Sequence, residues 1–293
     1  MKENYHTHTF RCGHATGSEE EMILGAMEGG FTTLGMSCHI PLPNFRKHLL
    51  RGVPYLSSFD NAKTLFRWFC FNGLGTRMPY PSKKEHLSII KELKEKYKDQ
   101  ITIYQGFEAE YFEEYLDYYQ SLLDNQEVDY LILGNHFHKI CCDACYNGFA
   151  LDKEGIENYG KDACLAMETG LYSYFCHPDL FMAETVEFDE TCVQITRDIC
   201  TCAIKNNIPL EINEGGFRRG IKKIGNQTRL PYPHDEFWKI VGEMGAPVVL
   251  GLDSHNPNEF SKKEVADLEN YAKKMNLTVI PSFEFKKGKK KDC

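Results

Sequence analysis

Short apolar runs that stop at a histidine or a carboxylate recur along this chain. His6 and His8 end the first, His39 the second, Glu108 the third, His136 the fourth, His177 the fifth, and Asp253 with His255 the seventh. Between these runs lie amphipathic segments near 18–30, 83–98, 111–124, 153–169, 190–206, 234–244 and 259–274. Ser18 and Glu21 open the first helix as a capping box, and Gly29-Gly30 closes it. Apolar strands alternating with amphipathic helices predict parallel βαβ units. The chain has no Gly-x-Gly-x-x-Gly after a strand and no Walker loop, so a closed barrel is expected over an open nucleotide-binding sheet. In a parallel barrel the carboxyl ends of the strands share one face, so these residues are predicted to meet there.

The remaining sequence features narrow the class. At 293 residues with no clear linker, residues 1–293 read as one domain. A formal net charge of -8 counts against a nucleic-acid partner. No apolar run is long enough for a membrane span, and the start Met1-Lys2-Glu3-Asn4 carries no apolar leader, so a cytoplasmic protein is expected. The cysteines then read as reduced thiols. The Cys141-Cys142-Asp143-Ala144-Cys145 cluster lacks the second ligand pair a zinc knuckle needs.

Two stretches break the strand–helix rhythm. Residues 41–81 form an insertion rich in aromatics (Phe45, Tyr55, Phe59, Phe66, Trp68, Phe69, Phe71, Tyr80), expected to act as a lid. The lysine-rich end, 286–291, is expected to be solvated and frayed.

Seven of the eleven histidines fall at or just beyond strand ends: His6, His8, His14, His39, His136, His177 and His255. Alternation places His6 and His8 on one side of their strand, as it does Asp253 and His255. Packing so many imidazoles together without cations would leave buried nitrogens unsatisfied. With Glu108 and Asp253 they make nine donors, too many for one ion with an open position and suited to two or three ions with shared bridges. Two carboxylates only partly offset the charge of several divalent ions, so the cluster would attract a phosphate dianion.

The ordered set His6-x-His8, His14, His39, Glu108, His136, His177 and Asp253-x-His255 resembles the polymerase and histidinol phosphatase (PHP) superfamily. That resemblance implies a distorted (β/α)7 barrel with a trinuclear site of zinc, manganese or iron at the C-terminal ends of the strands. Tyr5-His6-Thr7-His8-Thr9, Cys38-His39-Ile40-Pro41-Leu42-Pro43, Cys176-His177-Pro178-Asp179-Leu180 and Leu210-Glu211-Ile212-Asn213-Glu214-Gly215-Gly216-Phe217-Arg218 are most similar to the histidinol-phosphate phosphatases. The resemblance therefore implies a histidinol-phosphatase of histidine biosynthesis.

For such a reaction, a metal-bridging hydroxide is expected to attack a small phosphate monoester in line. Arg218 is expected to bind the phosphate, and Glu214 the substrate ammonium. Asp253 or His255 is expected to pass a proton to the leaving group. A nucleophilic role for Cys38 is disfavoured, because nothing in the sequence activates it. The competing reading is another enzyme of the superfamily, a nucleotide phosphodiesterase or nuclease, followed by a metal-binding module without turnover.

Overall fold

Strands β1 (Glu3–Asn4), β2 (Thr33–Met36), β3 (Thr102–Ala109) and β4 (Tyr130–Leu133) lie side by side in that order, all parallel. The computed structural model describes residues 1–49, 59–71, 73–75, 77–141, 144–146 and 148–288. Strands β5 (Leu210–Asn213) and β8 (Val248–Gly251) form a second parallel pair. Phe175 joins the two sheets through single parallel bridges to Leu133 and Leu210. Beyond β8, Ser254 bridges back to Thr7, just past β1, so the parallel sheet curls towards closure. The result is a mixed α/β fold around a curled parallel sheet.

β2, β4 and β5 are buried along their whole length, as expected of parallel strands covered by helices. Tyr130 fills space inside the curl. A Cβ on Gly35 would lie 2.2 Å from its hydroxyl, and one on Gly106 would lie 2.4 Å from its ring. Those two glycines let the ring cross under β2 and β3, where its hydroxyl donates to the Tyr5 carbonyl at 2.7 Å.

The helices follow the predicted rhythm: α1 (Glu19–Glu28), α4 (Lys83–Lys96), α5 (Leu116–Asp124), α6 (Lys153–Glu168), α7 (Glu190–Asn206), α9 (Asp235–Met244) and α10 (Lys262–Lys274). The capping box forms: Ser18 Oγ accepts from Glu21 N–H, and the Glu21 carboxylate accepts from Ser18 N–H at 2.7 Å. One apolar core runs from Cys12 to Ala272 and includes Leu34, Phe107, Leu131, Phe175, Ile212 and Trp238.

Several details differ from the expectation. Of Tyr172–Cys176 only Phe175 pairs, and near 277–280 only Val279 pairs, with Val248. The segment at 111–124 starts with a 3-10 turn at Glu113–Tyr115 before α5. The short helix α8 (Gly215–Arg218) and the antiparallel hairpin β6 (Lys222–Ile224) and β7 (Gln227–Arg229) were not expected.

The insertion carries α2 (Phe45–Leu49) and α3 (Phe59–Phe71). Its aromatics divide: Phe45 and Trp68 are buried, whereas Phe66 is 68% exposed and Phe69 37%. Tyr55 and the side chains of Phe59 and Phe71 lie outside the described residues, as do Cys142 and Asp143 of the cysteine cluster. Cys141 carries a free thiol.

The end of the chain is not frayed through Gly288. Phe283 and Phe285 pack on Tyr5, Tyr104, Tyr130 and Tyr174, with Phe285 stacked on Tyr130 at 4.9 Å. Lys286 N–H donates to Ser173 Oγ at 3.1 Å, and Gly288 N–H to the Gly170 carbonyl at 3.0 Å. Burial of two phenyl rings outweighs the solvation of the lysines there. Residues 289–291 lie outside the described set.

Candidate metal centre

All nine histidine and carboxylate donors picked out from the sequence converge at one end of the curled sheet. Glu108, near the end of β3, is central. Its Oε2 lies 2.9 Å from His39 Nδ1, 3.3 Å from His8 Nε2 and 3.4 Å from His6 Nε2. Its Oε1 lies 3.2 Å from His177 Nε2 and 3.5 Å from His136 Nε2. Asp253 Oδ1 approaches the same point, 3.3 Å from His6 Nε2 and 3.2 Å from His8 Nε2. His14 and His255 complete the rim, 2.8 Å apart through their Nε2 atoms.

The strand ends bend sharply to make this convergence. Asn135, His177 and Asp253 adopt positive φ angles of 49°, 33° and 49°. A left-handed conformation at a residue other than glycine costs roughly 1–3 kcal/mol and persists only where the surroundings enforce it. Here the enforced turns carry two donors and the residue before a third.

Most of the imidazoles are anchored from behind. His6 Nδ1 lies 3.1 Å from both Glu211 oxygens, and Glu211 is held in turn by Asn213 Nδ2 at 2.8 Å. Gly251 leaves room for that carboxylate: a Cβ there would lie 1.7 Å from Glu211 Oε1. His136 Nδ1 lies 2.9 Å from Glu110, which also binds Arg77 at 2.5 Å. His14 Nδ1 donates to the Cys12 carbonyl at 3.0 Å, and His255 Nδ1 to the Asp253 carbonyl at 2.8 Å. In the neutral ring, each such bond fixes the tautomer and leaves Nε2 as a lone pair turned to the cavity.

The chemistry of this donor set fits cations. His6 Nε2, His8 Nε2, Glu108 Oε2 and Asp253 Oδ1 are buried, face one another and have no hydrogen-bond partner among the described residues. Burial alone would push both carboxyls up. The surrounding histidines, His39 first for Glu108 and His6 first for Asp253, instead hold them well below the usual carboxylate range. Burial pushes the His6 imidazole down, but Asp253, Glu211, Cys176 and Glu108 outweigh it and raise it well above 6.5. The cavity thus demands positive charge. Overlapping donor groups include His6, His8 and Asp253; His8, His39 and Glu108; His8, His14 and His255; and His39, Glu110 and His136.

The cavity measures about 250 Å³, and its walls include Arg77, Phe137, Arg219 and Tyr232. The two remaining sequence candidates do not line it. Arg218 donates to Glu214 at 3.0 Å and to the Asp253 carbonyl at 2.6 Å. Glu214 is wholly buried beside it; burial, opposed by Arg218, pushes its carboxyl up to about 7. Arg219 instead reaches the cavity and stacks over Tyr232 at 5.2 Å.

Sequence reasoning missed three supporting residues. Glu110 and Glu211 were legible in principle, because Glu108-x-Glu110 and Glu211-x-Asn213 repeat the His6-x-His8 spacing that turns alternate side chains to one face. Arg77 sits in the insertion and carries no such signal. The same spacing misleads at His136-x-His138, where His138 Nδ1 binds Asp162 at 2.7 Å and its side chain does not line the cavity.

The fold and the site together are those of a PHP domain. The family model for it matches residues 4–215, and the chain belongs to that family. The chain is 22% identical to a Deinococcus radiodurans protein named "Probable histidinol-phosphatase", over 87% of this chain and 86% of that one. It is 25% identical to a Schizosaccharomyces pombe protein of the same name, over 88% and 82%. A solved structure of histidinol phosphate phosphatase from Lactococcus lactis, complexed with zinc, L-histidinol and phosphate, shares the fold with a TM-score of 0.66 at 17% identity, covering 97% of each chain.

Proposed function

We propose that this chain is a metal-dependent phosphomonoesterase that hydrolyses L-histidinol phosphate to L-histidinol and phosphate. The observation that carries the reading is the buried convergence of His6 Nε2, His8 Nε2, Glu108 Oε2 and Asp253 Oδ1, none of which has a hydrogen-bond partner among the described residues. His6, His8, His14, His39, Glu108, His136, His177, Asp253 and His255 would hold three divalent ions. Ions bound there supply charge neutralisation for a phosphate and a water acidic enough to attack near neutral pH.

The protein's own groups do the rest. The Arg219 guanidinium makes no hydrogen bond or ion pair among the described residues and is placed to take phosphate oxygens, with Arg77 also on the cavity wall. Arg218 braces the Asp253 turn from behind instead. Asp253 or His255, whose Nδ1 lies 3.5 Å from Asp253 Oδ1, relays to the departing alkoxide a proton taken from water in the cavity, since the Asp253 carboxylate itself rests ionised. Phe137 lines the cavity and meets the organic part of the ester, and Trp68 packs edge-on against it at 6.0 Å from the insertion and holds it in place.

The names of the two relatives, and the histidinol and phosphate bound to the L. lactis structure, support this substrate. The test is phosphate release from histidinol phosphate, other monoesters and phosphodiesters after reconstitution with Mn²⁺, Zn²⁺ or Fe²⁺. Preference for histidinol phosphate supports the reading. Preference for diesters transfers the chain to the phosphodiesterase class.

A further inference from the structure

We propose that the Tyr232 hydroxyl is a phosphate-binding group of the metal cavity, donating a hydrogen bond to a phosphate oxygen beside the Arg219 guanidinium. The inference rests on the reading of the cavity as a phosphomonoesterase site and adds to it a residue outside the metal-donor set. Its origin is a polar atom on the cavity wall that the protein leaves without an acceptor.

Tyr232 is only 2% exposed, yet it lines the cavity. Other buried tyrosines spend their hydroxyls inside the fold. Tyr130 donates to the Tyr5 carbonyl at 2.7 Å, Tyr146 to Asp162 at 2.7 Å, Tyr159 to the Pro178 carbonyl at 3.0 Å and Tyr172 to the Glu110 carbonyl at 2.9 Å. The Tyr232 hydroxyl has no hydrogen bond among the described residues. A phenol hydroxyl deprived of both water and an acceptor is costly to keep, so its acceptor is to be sought in what the cavity binds.

The surrounding chain fixes the ring in place. A Cβ on Gly216 would lie 1.8 Å from the Tyr232 carbonyl oxygen and 2.6 Å from its Cδ2, and one on Gly215 would lie 3.0 Å from its hydroxyl. Neither glycine has a positive φ, so what the pair supplies is space for the tyrosine. Leu180 and Ala183 pack with the ring. Before Tyr232, Arg229 donates to the Leu230 and Pro231 carbonyls and, across the loop beyond His177, to those of Met182 at 2.9 Å and Thr185 at 2.6 Å. After it, the His234 N–H donates to Asp179 at 2.7 Å. A hydroxyl held this firmly loses little freedom when a ligand arrives.

The neighbours make that ligand an anion. The Arg219 guanidinium lies over the Tyr232 ring at 5.2 Å and is likewise without a hydrogen bond or ion pair among the described residues. A phenol keeps its proton near neutral pH, so both groups offer hydrogens. A cationic and a neutral donor side by side suit two oxygens of one phosphate. The Cβ imagined on Gly215 would also lie 3.1 Å from Asp253 Oδ2. The hydroxyl thus neighbours both the guanidinium and a carboxylate of the metal cluster, although no hydrogen bond joins it to Asp253. A phosphate held by the cluster and by Arg219 comes within its reach.

The experiment compares Tyr232→Phe with the wild type, both metal-loaded, using inorganic phosphate as the probe. Calorimetric titration should show phosphate binding weakened roughly ten- to a hundredfold, the equivalent of a lost hydrogen bond to a charged group. The kcat/KM for histidinol phosphate should fall with it, while metal affinity by chelator competition stays unchanged. Because the hydroxyl has no partner in the protein, its removal should leave the Tm without phosphate unchanged or raised. Unchanged phosphate affinity would overturn the proposal. Weakened metal affinity would do so too, by assigning the hydroxyl to Asp253, and a lowered Tm without phosphate would make it structural. A wild-type chain that takes up metal but binds no phosphate would sink the phosphatase reading itself, a separate failure seen before any variant is compared.

Discussion

His14 and His255 place their Nε2 atoms 2.8 Å apart although 241 residues separate them. Each donates its Nδ1 proton to a backbone carbonyl, so in the neutral ring neither Nε2 carries a proton. Burial is the main cause holding both imidazoles below the ordinary histidine value, that of His255 at about 3. Two lone pairs facing each other at that distance repel unless a cation lies between them.

This sets the first prediction. Elemental analysis of the replete protein should find close to three ions per chain, and His8→Ala should lose most of them along with nearly all activity. His48→Ala, whose ring packs on Tyr115 outside the cavity, should keep its metal. One ion or fewer in the wild-type protein would contradict the trinuclear reading.

The second prediction concerns Glu110. It holds His136 through Nδ1 and N–H and binds Arg77, all while buried. Glu110→Gln should weaken metal binding roughly 10–100-fold, as loss of an anchoring carboxylate does elsewhere. Chelator competition checks this without any turnover assay.

The third separates the arginines. Arg219→Ala should lower kcat/KM for histidinol phosphate by about 2 kcal/mol or more, the scale of a lost charge-assisted contact, while metal content stays intact. Arg218→Ala should act differently, disturbing the Asp253 turn and therefore metal content. If kcat/KM is unchanged in Arg219→Ala, the phosphate is held elsewhere.

Selectivity is the fourth. Trp68→Ala should reduce kcat/KM for histidinol phosphate more than for a generic aryl phosphate, because bound metal serves both esters alike. An equal loss for the two substrates would make Trp68 structural.

The last prediction concerns stability and pH. Burial would raise the Glu19 carboxyl, but hydrogen bonds from His86 at 2.7 Å and Arg11 at 2.5 Å hold it down at about 2. A folded value below the unfolded 4.5 stabilises the folded chain above pH 4.5, and that contribution is lost as pH falls towards 2. Glu19→Gln should therefore cost about 2–3 kcal/mol at pH 7 by denaturant unfolding, the linkage equivalent of the shift reduced for solvent screening. The gap to wild type should narrow below pH 4.5. A constant gap across that range would assign the loss to packing alone.

The sequence by itself determined the strand–helix rhythm, the capping box at Ser18 and Glu21, and which residue types end the strands. These are local properties: apolar periodicity and alternation act over a few residues, so their pattern is written in the chain. The convergence of His6 with Glu108 and Asp253 followed from one topological rule, that parallel strands share a carboxyl face. Only the tertiary structure decided that Arg218 braces the Asp253 turn while Arg219 reaches the cavity, since neighbours on a short helix point in directions that depend on what each packs against. It also placed Arg77 behind His136, pinned Phe283 and Phe285 against the tyrosines of the curled sheet, and set Cys12 behind His8. These contacts join distant or unpatterned positions, and their geometry comes from the packing of the whole fold.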